Sequence, residues 1–279
     1  MIVKADYHMH PNLPKGDKEA LEKSKKWWEA IGKAGVNCVV IAEHVYKNAK
    51  RAFDLMSQAC PDNIFCFPGI EYCTKEGVDI VVFSNSEKIY KEKPLNTTFG
   101  MTYRETIDYI KERDYLYAYV THPFTLGTTS IVNILGMDQF EKYTNELNAV
   151  EVSNGAFDTL MKVFKTFPIS LFTKKKLDWA QKTQRLPETY RPKNPIFLAA
   201  GSDAHLFQDL GNHFELVVSS FDRETVFDKL VNNTDGQLVL VSKKFSLLAL
   251  LKNLPIVLSE FLIKKRIRLC SKFSCKRCG

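Results

Sequence analysis

The chain has no long uninterrupted apolar run. Its most leucine-rich stretch, FSLLALLKNLPIVLSEFLIKKRIRL, is broken by Lys252, Pro255 and Glu260, which argues against a membrane span. The opening MIVKADYH lacks the charged segment, apolar run and small-residue cleavage site of a signal peptide, so an intracellular, cytoplasmic location is expected. A regular disulfide framework is missing as well. The cysteines are odd in number (Cys38, Cys60, Cys66, Cys73, Cys270, Cys275 and Cys278), and reduced thiols are the simpler reading. The last three, in CSKFSCKRC, lack a local fourth ligand and make a weak zinc signal. Finally, no acidic residue occurs from Lys264 to Gly279, where Lys264, Lys265, Arg266, Arg268, Lys272, Lys276 and Arg277 equal the whole formal excess of +7. The body is therefore nearly neutral. This argues against a broad nucleic-acid-binding face on it and leaves the tail as the part able to meet anionic lipid or nucleic acid.

What is present is an ordinary globular composition, 45% hydrophobic and 25% charged over 279 residues, with no repeat or low-complexity tract. Short β-rich runs alternate with amphipathic stretches. IVKADYH, NCVVIAEH, NIFCFPGIEY, VDIVVFS, YLYAYVTH, NAVEVSN, PIFLAAGSD and FELVVSS read as strands. DKEALEKSKKWWEAIGKAG and TYRETIDYIKERD read as helices between them, KTFPISLFTKKKLDWAQKTQ as a helical excursion broken at Pro168, and TYRPKNP as a loop. Near-continuous apolar strands separated by helices predict an α/β fold with a mostly parallel sheet, and seven or eight such units predict closure into a TIM-like barrel. The predicted organisation is a barrel over residues 1–222, a helical and strand extension over 223–263 packing on it, and a basic, cysteine-containing tail over 264–279.

The histidines follow this map. DYHMHP places His8 and His10 two residues apart on a strand, so both rings share a face. Alone, H-x-H is a weak pattern. Glu43 and His44 end the second strand, Glu71 the third; His122 follows the fifth, Glu151 lies in VEVSNG, and Asp203 and His205 end a late strand. In a parallel barrel these ends converge on one rim, where such folds build their sites. Imidazole and carboxylate ligate zinc, iron and manganese, and their repetition at successive strand ends is hard to obtain from core packing. His213 starts a strand and reads as structural.

The order H-x-H, E-H, G-I-E, T-H-P, E-V-S-N-G and G-S-D-A-H, over roughly residues 1 to 220, resembles the PHP (polymerase and histidinol phosphatase) family. The resemblance implies a distorted (β/α)7 barrel carrying two or three divalent metal ions (Zn, Mn or Fe) and phosphoesterase activity. It implies one ion on His8, His10, Glu71 and Asp203, a second on Glu71 and His122, and a third on His44 and His205 with a residue from the loop after H-x-H. That loop, PNLPKGD, departs from the Ser-Asp-Gly of many relatives, and Asp17 is its nearest acid. Asp79 stands where relatives often carry a histidine, as ligand or proton donor.

The chemistry so implied is hydrolysis of a phosphate monoester or diester by a metal-bridging hydroxide, with Asp79, Asp17 or a metal-bound water as proton donor. Lys47, Arg51 and Lys75 are cations that can reach a phosphate, on a small phosphorylated substrate or short nucleotide; each also reads as an ordinary solvated cation. No obligate protein partner is evident. Two further readings concern a metal-holding regulatory module without catalysis, and a peripheral membrane contact through LLALLKNLPIVLSEFLIKKRIRLCSKF.

Overall fold

The computed structural model describes residues 1–125, 129–156, 196–234, 238–242, 251–252, 255–256, 258–259 and 262–267. KTFPISLFTKKKLDWAQKTQ, TYRPKNP and the cysteines at 270, 275 and 278 lie outside them. The four described cysteines, Cys38, Cys60, Cys66 and Cys73, are free thiols.

All eight strand-like runs are strands: β1 (Ile2–Met9), β2 (Cys38–Ile41), β3 (Phe65–Cys73), β4 (Asp79–Phe83), β5 (Tyr117–Val120), β6 (Ala149–Asn154), β7 (Phe197–Gly201) and β8 (His213–Val217). β9 (Val239–Val241) follows. They form one sheet in the order β7-β6-β5-β4-β3-β2-β1-β8-β9. The sheet nearly closes on itself. Met9 bridges Ala204 in parallel fashion, just past the end of β7. Tyr7 of β1 packs edge-on against Phe83 of β4, Tyr119 of β5 and Phe214 of β8, at centroid distances of 6.2, 6.4 and 6.4 Å. Rings from strands so far apart in the sheet order meet only when the sheet rolls up.

The sheet is less parallel than the alternating pattern predicts. β4 runs antiparallel to both β3 and β5, and β8 runs antiparallel to β1. The cause of the first is local: only the turn Thr74–Val78 joins β3 to β4, Thr74 N donating to Val78 O at 2.9 Å around Gly77 at φ +91. A parallel return needs a crossover of a dozen residues or more, so this connection can only make a hairpin.

Helices α1 (Asp17–Lys33), α2 (Ala49–Gln58), α3 (Tyr103–Lys111), α4 (Ile131–Leu135), α5 (Met137–Leu147) and α6 (Arg223–Val231) cover the outside. In α1, Ala20, Ser24, Trp27, Trp28 and Ile31 form the buried stripe of a helix with period near 3.6. Trp27 Nε1 donates to Pro11 O at 2.8 Å, tying the loop after DYHMH to this helix. α3 starts at a capping box in which Thr102 and Glu105 satisfy each other's backbone N–H groups. Among the described residues, no helix is long and apolar enough to cross a membrane.

Candidate metal centre

Strands β1 to β7 each deliver polar residues to one rim. The β1–β2 pairing shifts register between Asp6 and Met9, and the β6–β7 pairing between Glu151 and Ser153; such irregularities re-aim side chains beside sites. Asp203 N donates to His8 O at 2.8 Å and His10 N to Ala204 O at 2.9 Å, which locks DYHMH against GSDAH. β4 adds a twist. Because it runs in reverse, its first residue, Asp79, stands opposite Cys73 and so enters the rim from the strand's beginning.

Three adjoining groups result, in each of which the ligand atoms lie within 4.8 Å of one another: His8, His10 and Asp203; His10, His44 and His205; and Glu71, Asp79 and His122. His8 Nε2 faces His10 Nε2 at 3.0 Å. Asp203 Oδ1 is 3.3 Å from His10 Nε2, and Glu71 Oε1 is 3.5 Å from His8 Nε2. Glu71 is the hub, its Oε1 3.1 Å from His122 Nε2 and its Oε2 2.6 Å from His44 Nδ1. His10 sits between the rings of His44 and His205, each 4.5 Å away.

A second layer holds these groups. Glu151 is 3.2 Å from His8 Nδ1, and its other oxygen accepts from Thr121 Oγ1, His122 N and Asn154 Nδ2 at 2.9, 2.6 and 3.1 Å. Glu43 accepts from Asn12 N and His44 N at 2.8 and 3.0 Å and lies 3.5 Å from His10 Nδ1. Asp6 accepts from Ser202 Oγ, Ser202 N and His8 N at 2.5, 3.0 and 3.1 Å. Gly201 leaves the space for β1. A Cβ there would stand 2.3 Å from the Cβ of His8. His122 and Asp203 both carry positive φ, 25° and 49°, a conformation that costs a non-glycine residue energy and clusters at sites.

Burial and crowding set the charges. Burial pushes the Glu71 carboxyl up, but the positive charge of His44 and the hydrogen bonds from His122, His44 and His8 outweigh it and hold it well below its usual range. The same contest holds Asp203 low, against His8, His10 and His205, and Glu43 at about 2, against His10, Lys47 and His44. Conversely, desolvation pulls His8 down while Asp203, Glu151 and Glu71 drive it well above its ordinary value; His122 is raised in the same way by Glu71. Burial alone raises Asp6 to about 7 despite its hydrogen bonds.

The donor set fits a divalent cation. Two nitrogens on one ion at about 2.1 Å stand about 3.0–3.4 Å apart, the spacing that His8 and His10 present. Each of these rings turns its other nitrogen toward a carboxylate, the arrangement that orients metal-bound histidines. Among the described residues, His122 Nδ1 is buried without a hydrogen-bond partner. The excess anionic charge that draws protons onto His8 and His122 draws cations equally.

All seven residues expected as ligands, His8, His10, His44, Glu71, His122, Asp203 and His205, fall in these groups, and Asp79 joins them. Asp17 does not. It heads α1, largely exposed, and its Oδ1 accepts from Arg51 Nη2 at 2.8 Å, outside the three groups. Glu43 is the acid beside His10 and His44 instead. The Arg51 so engaged and Lys75, which pairs with Glu105 at 3.3 Å on the surface, are both turned to other partners than the rim. Lys47 bonds Asn12 Oδ1 and acts electrostatically on Glu43. Sequence reasoning placed Glu43 and Glu151 at strand ends but gave them no role, and it missed Lys264. Residues 262–267 are helical, and Lys264 Nζ reaches Asp79 Oδ2 at 2.7 Å rather than standing free in a tail.

Fold and site together define a barrel-like α/β protein with a buried histidine and carboxylate cluster at one rim, able to hold metal. No protein-family model and no curated protein matches the chain. Among solved structures it is similar to PsfC from Pseudomonas syringae PB-5123, with a TM-score of 0.57 and 16% identity over 95% of this chain and 99% of that one. At that identity the likeness is one of fold.

Proposed function

We propose that this protein is a PHP-type, distorted (β/α)7-barrel phosphoesterase that uses divalent metal ions, zinc, manganese or iron, to hydrolyse a small phosphorylated substrate or a short nucleotide. The observation that carries the reading is the convergence of His8, His10, His44, Glu71, His122, Asp203 and His205 into three adjoining groups around Glu71. Core packing supplies no reason to gather five imidazoles against two carboxylates. When bound, divalent cations supply Lewis acidity toward phosphoryl oxygens and lower the pKa of water at the site. The protein's own part is positional. Glu151 fixes the ring of His8, Glu43 that of His10, and Glu71 stands between the groups, where one carboxylate can serve two ions. Lys47, held over Asn12, offers an ammonium to phosphoryl oxygens, and Asp79 adds a carboxylate beside Glu71 and His122.

Elemental analysis of the purified protein, joined to a panel of monoester and diester substrates, tests the reading. Bound ions and turnover, both lost in His8→Ala and Asp203→Ala, are expected. Full activity in either variant overturns it, and bound ions without turnover on any substrate make the protein a metal-holding module instead.

A peripheral membrane contact is favoured by one observation. Leu251, Leu258, Leu262 and Ile263 are exposed, between 38 and 58%, beside exposed Lys265 and Arg266. Apolar side chains next to cations suit an anionic lipid surface. Co-sedimentation with phosphatidylserine vesicles, lost on truncation after Glu260, is the expected result; equal binding by both chains removes the idea.

A further inference from the structure

The group formed by Glu71, Asp79 and His122 has a neighbour that the metal reading does not use. Lys264 Nζ lies 2.7 Å from Asp79 Oδ2, with side chains only 14 and 2% exposed. The ammonium also feels the negative charge of Glu71. Lys264 comes from the far end of the sequence, 185 residues from its partner, on a helical stretch whose flanking Ile263 and Lys265 face solvent. A lysine ammonium is ordinarily left in water even where its stem is covered, since desolvating the charge is unfavourable. Here it is turned inward, onto a buried carboxylate of a group able to hold a cation.

We infer that Lys264 is a built-in cation for this group, competing with a divalent ion for Asp79. Resting on the metal reading proposed above, the inference says that this group loads late and why. An ammonium brings one positive charge and three donors, so it satisfies Asp79 when no ion is there. An ion bound by Glu71, Asp79 and His122 would stand beside that ammonium, and two cations at one carboxylate repel. Loading the group therefore displaces Lys264 and loosens residues 262–267. The group centred on His8, His10 and Asp203 has no lysine or arginine paired with it among the described residues, and it fills before this one.

The test uses the full chain, stripped with chelator and titrated with Mn²⁺ by calorimetry, with ion content read after dialysis at fixed free Mn²⁺. Lys264→Ala is expected to bind a late-loading ion at least tenfold more tightly than the wild type. Equal stoichiometry and affinity in the two chains, with ions bound by both, overturns this inference alone; no ion bound by either overturns it together with the metal reading. Trypsin supplies a readout that needs no variant. Cleavage after Lys264 in the wild type should be slow in the stripped chain and faster as Mn²⁺ fills this group, whereas cleavage that ignores Mn²⁺ overturns the competition.

Discussion

The imidazole of His8 on β1 and the carboxylate of Glu151 on β6 meet at 3.2 Å, and this contact determines which nitrogen of His8 faces its partners. Once His8 gives up its second proton, as a metal ligand must, the one left on Nδ1 is donated to Glu151 and Nε2 turns a lone pair toward His10, Asp203 and Glu71.

Glu151→Gln should therefore weaken ion binding without removing a ligand. Loss of such an outer carboxylate typically costs about 10–100-fold in metal affinity. Calorimetric titration checks this, and an affinity equal to that of the wild type would show that Glu151 merely fills space.

Gly201→Ala introduces a methyl 2.3 Å from the Cβ of His8 and 3.1 Å from Glu151 Oε1, between two backbone segments that cannot part easily. Destabilisation of about 1–3 kcal/mol is expected, the usual cost of overpacking a filled site. The urea midpoint measures it, and ion affinity should fall in parallel because His8 is the atom group pushed.

Asp17→Asn and Glu43→Gln separate the two acids near DYHMHP. The Asp17 pair with Arg51 is on the surface, so its loss should change stability by less than about 0.5 kcal/mol and leave ion content intact. Glu43→Gln removes the negative charge beside His10 and His44 and should lower ion content at limiting Mn²⁺. The reverse ranking would restore Asp17 to the site.

His213 gives a pH signature apart from the cluster. Burial lowers its pKa below the ordinary 6.5, against the opposing hydrogen bond with Gly211 O. The unfolded chain therefore takes up this proton first. The associated stability is complete above about pH 6.5 and is lost as pH falls toward the depressed folded value. Wild type and His213→Gln should differ in the slope of their urea midpoints below pH 6.5, the wild type falling more steeply; parallel curves would dismiss the effect.

Much of this was legible before any coordinates, for a physical reason. Strand alternation fixes His8 and His10 on one face, and apolar runs between Glu43, Glu71, His122, Glu151 and Asp203 leave the polar residues nowhere but the strand ends. Direction was less legible. A sequence shows that VDIVVF is a strand but not which way it runs, and it is the short Thr74–Val78 turn that reverses it and brings Asp79 in by its first residue. Asp17 was chosen for nearness along the chain, whereas Glu43 reaches the rim through space. Lys264 was hidden by its company, since a lysine among lysines and arginines reads as solvated until a contact 185 residues away is known.

The same hairpin also makes part of the site easy to assemble. Glu71 and Asp79 are brought together by a single tight turn, a closure of a handful of residues, whereas His8 must find Glu151 across 143 positions and Lys264 must find Asp79 across 185. By loop-closure entropy the Glu71–Asp79 half costs least to assemble, while the His8 and Lys264 contacts, closing loops of similar length, cost the most and about equally so.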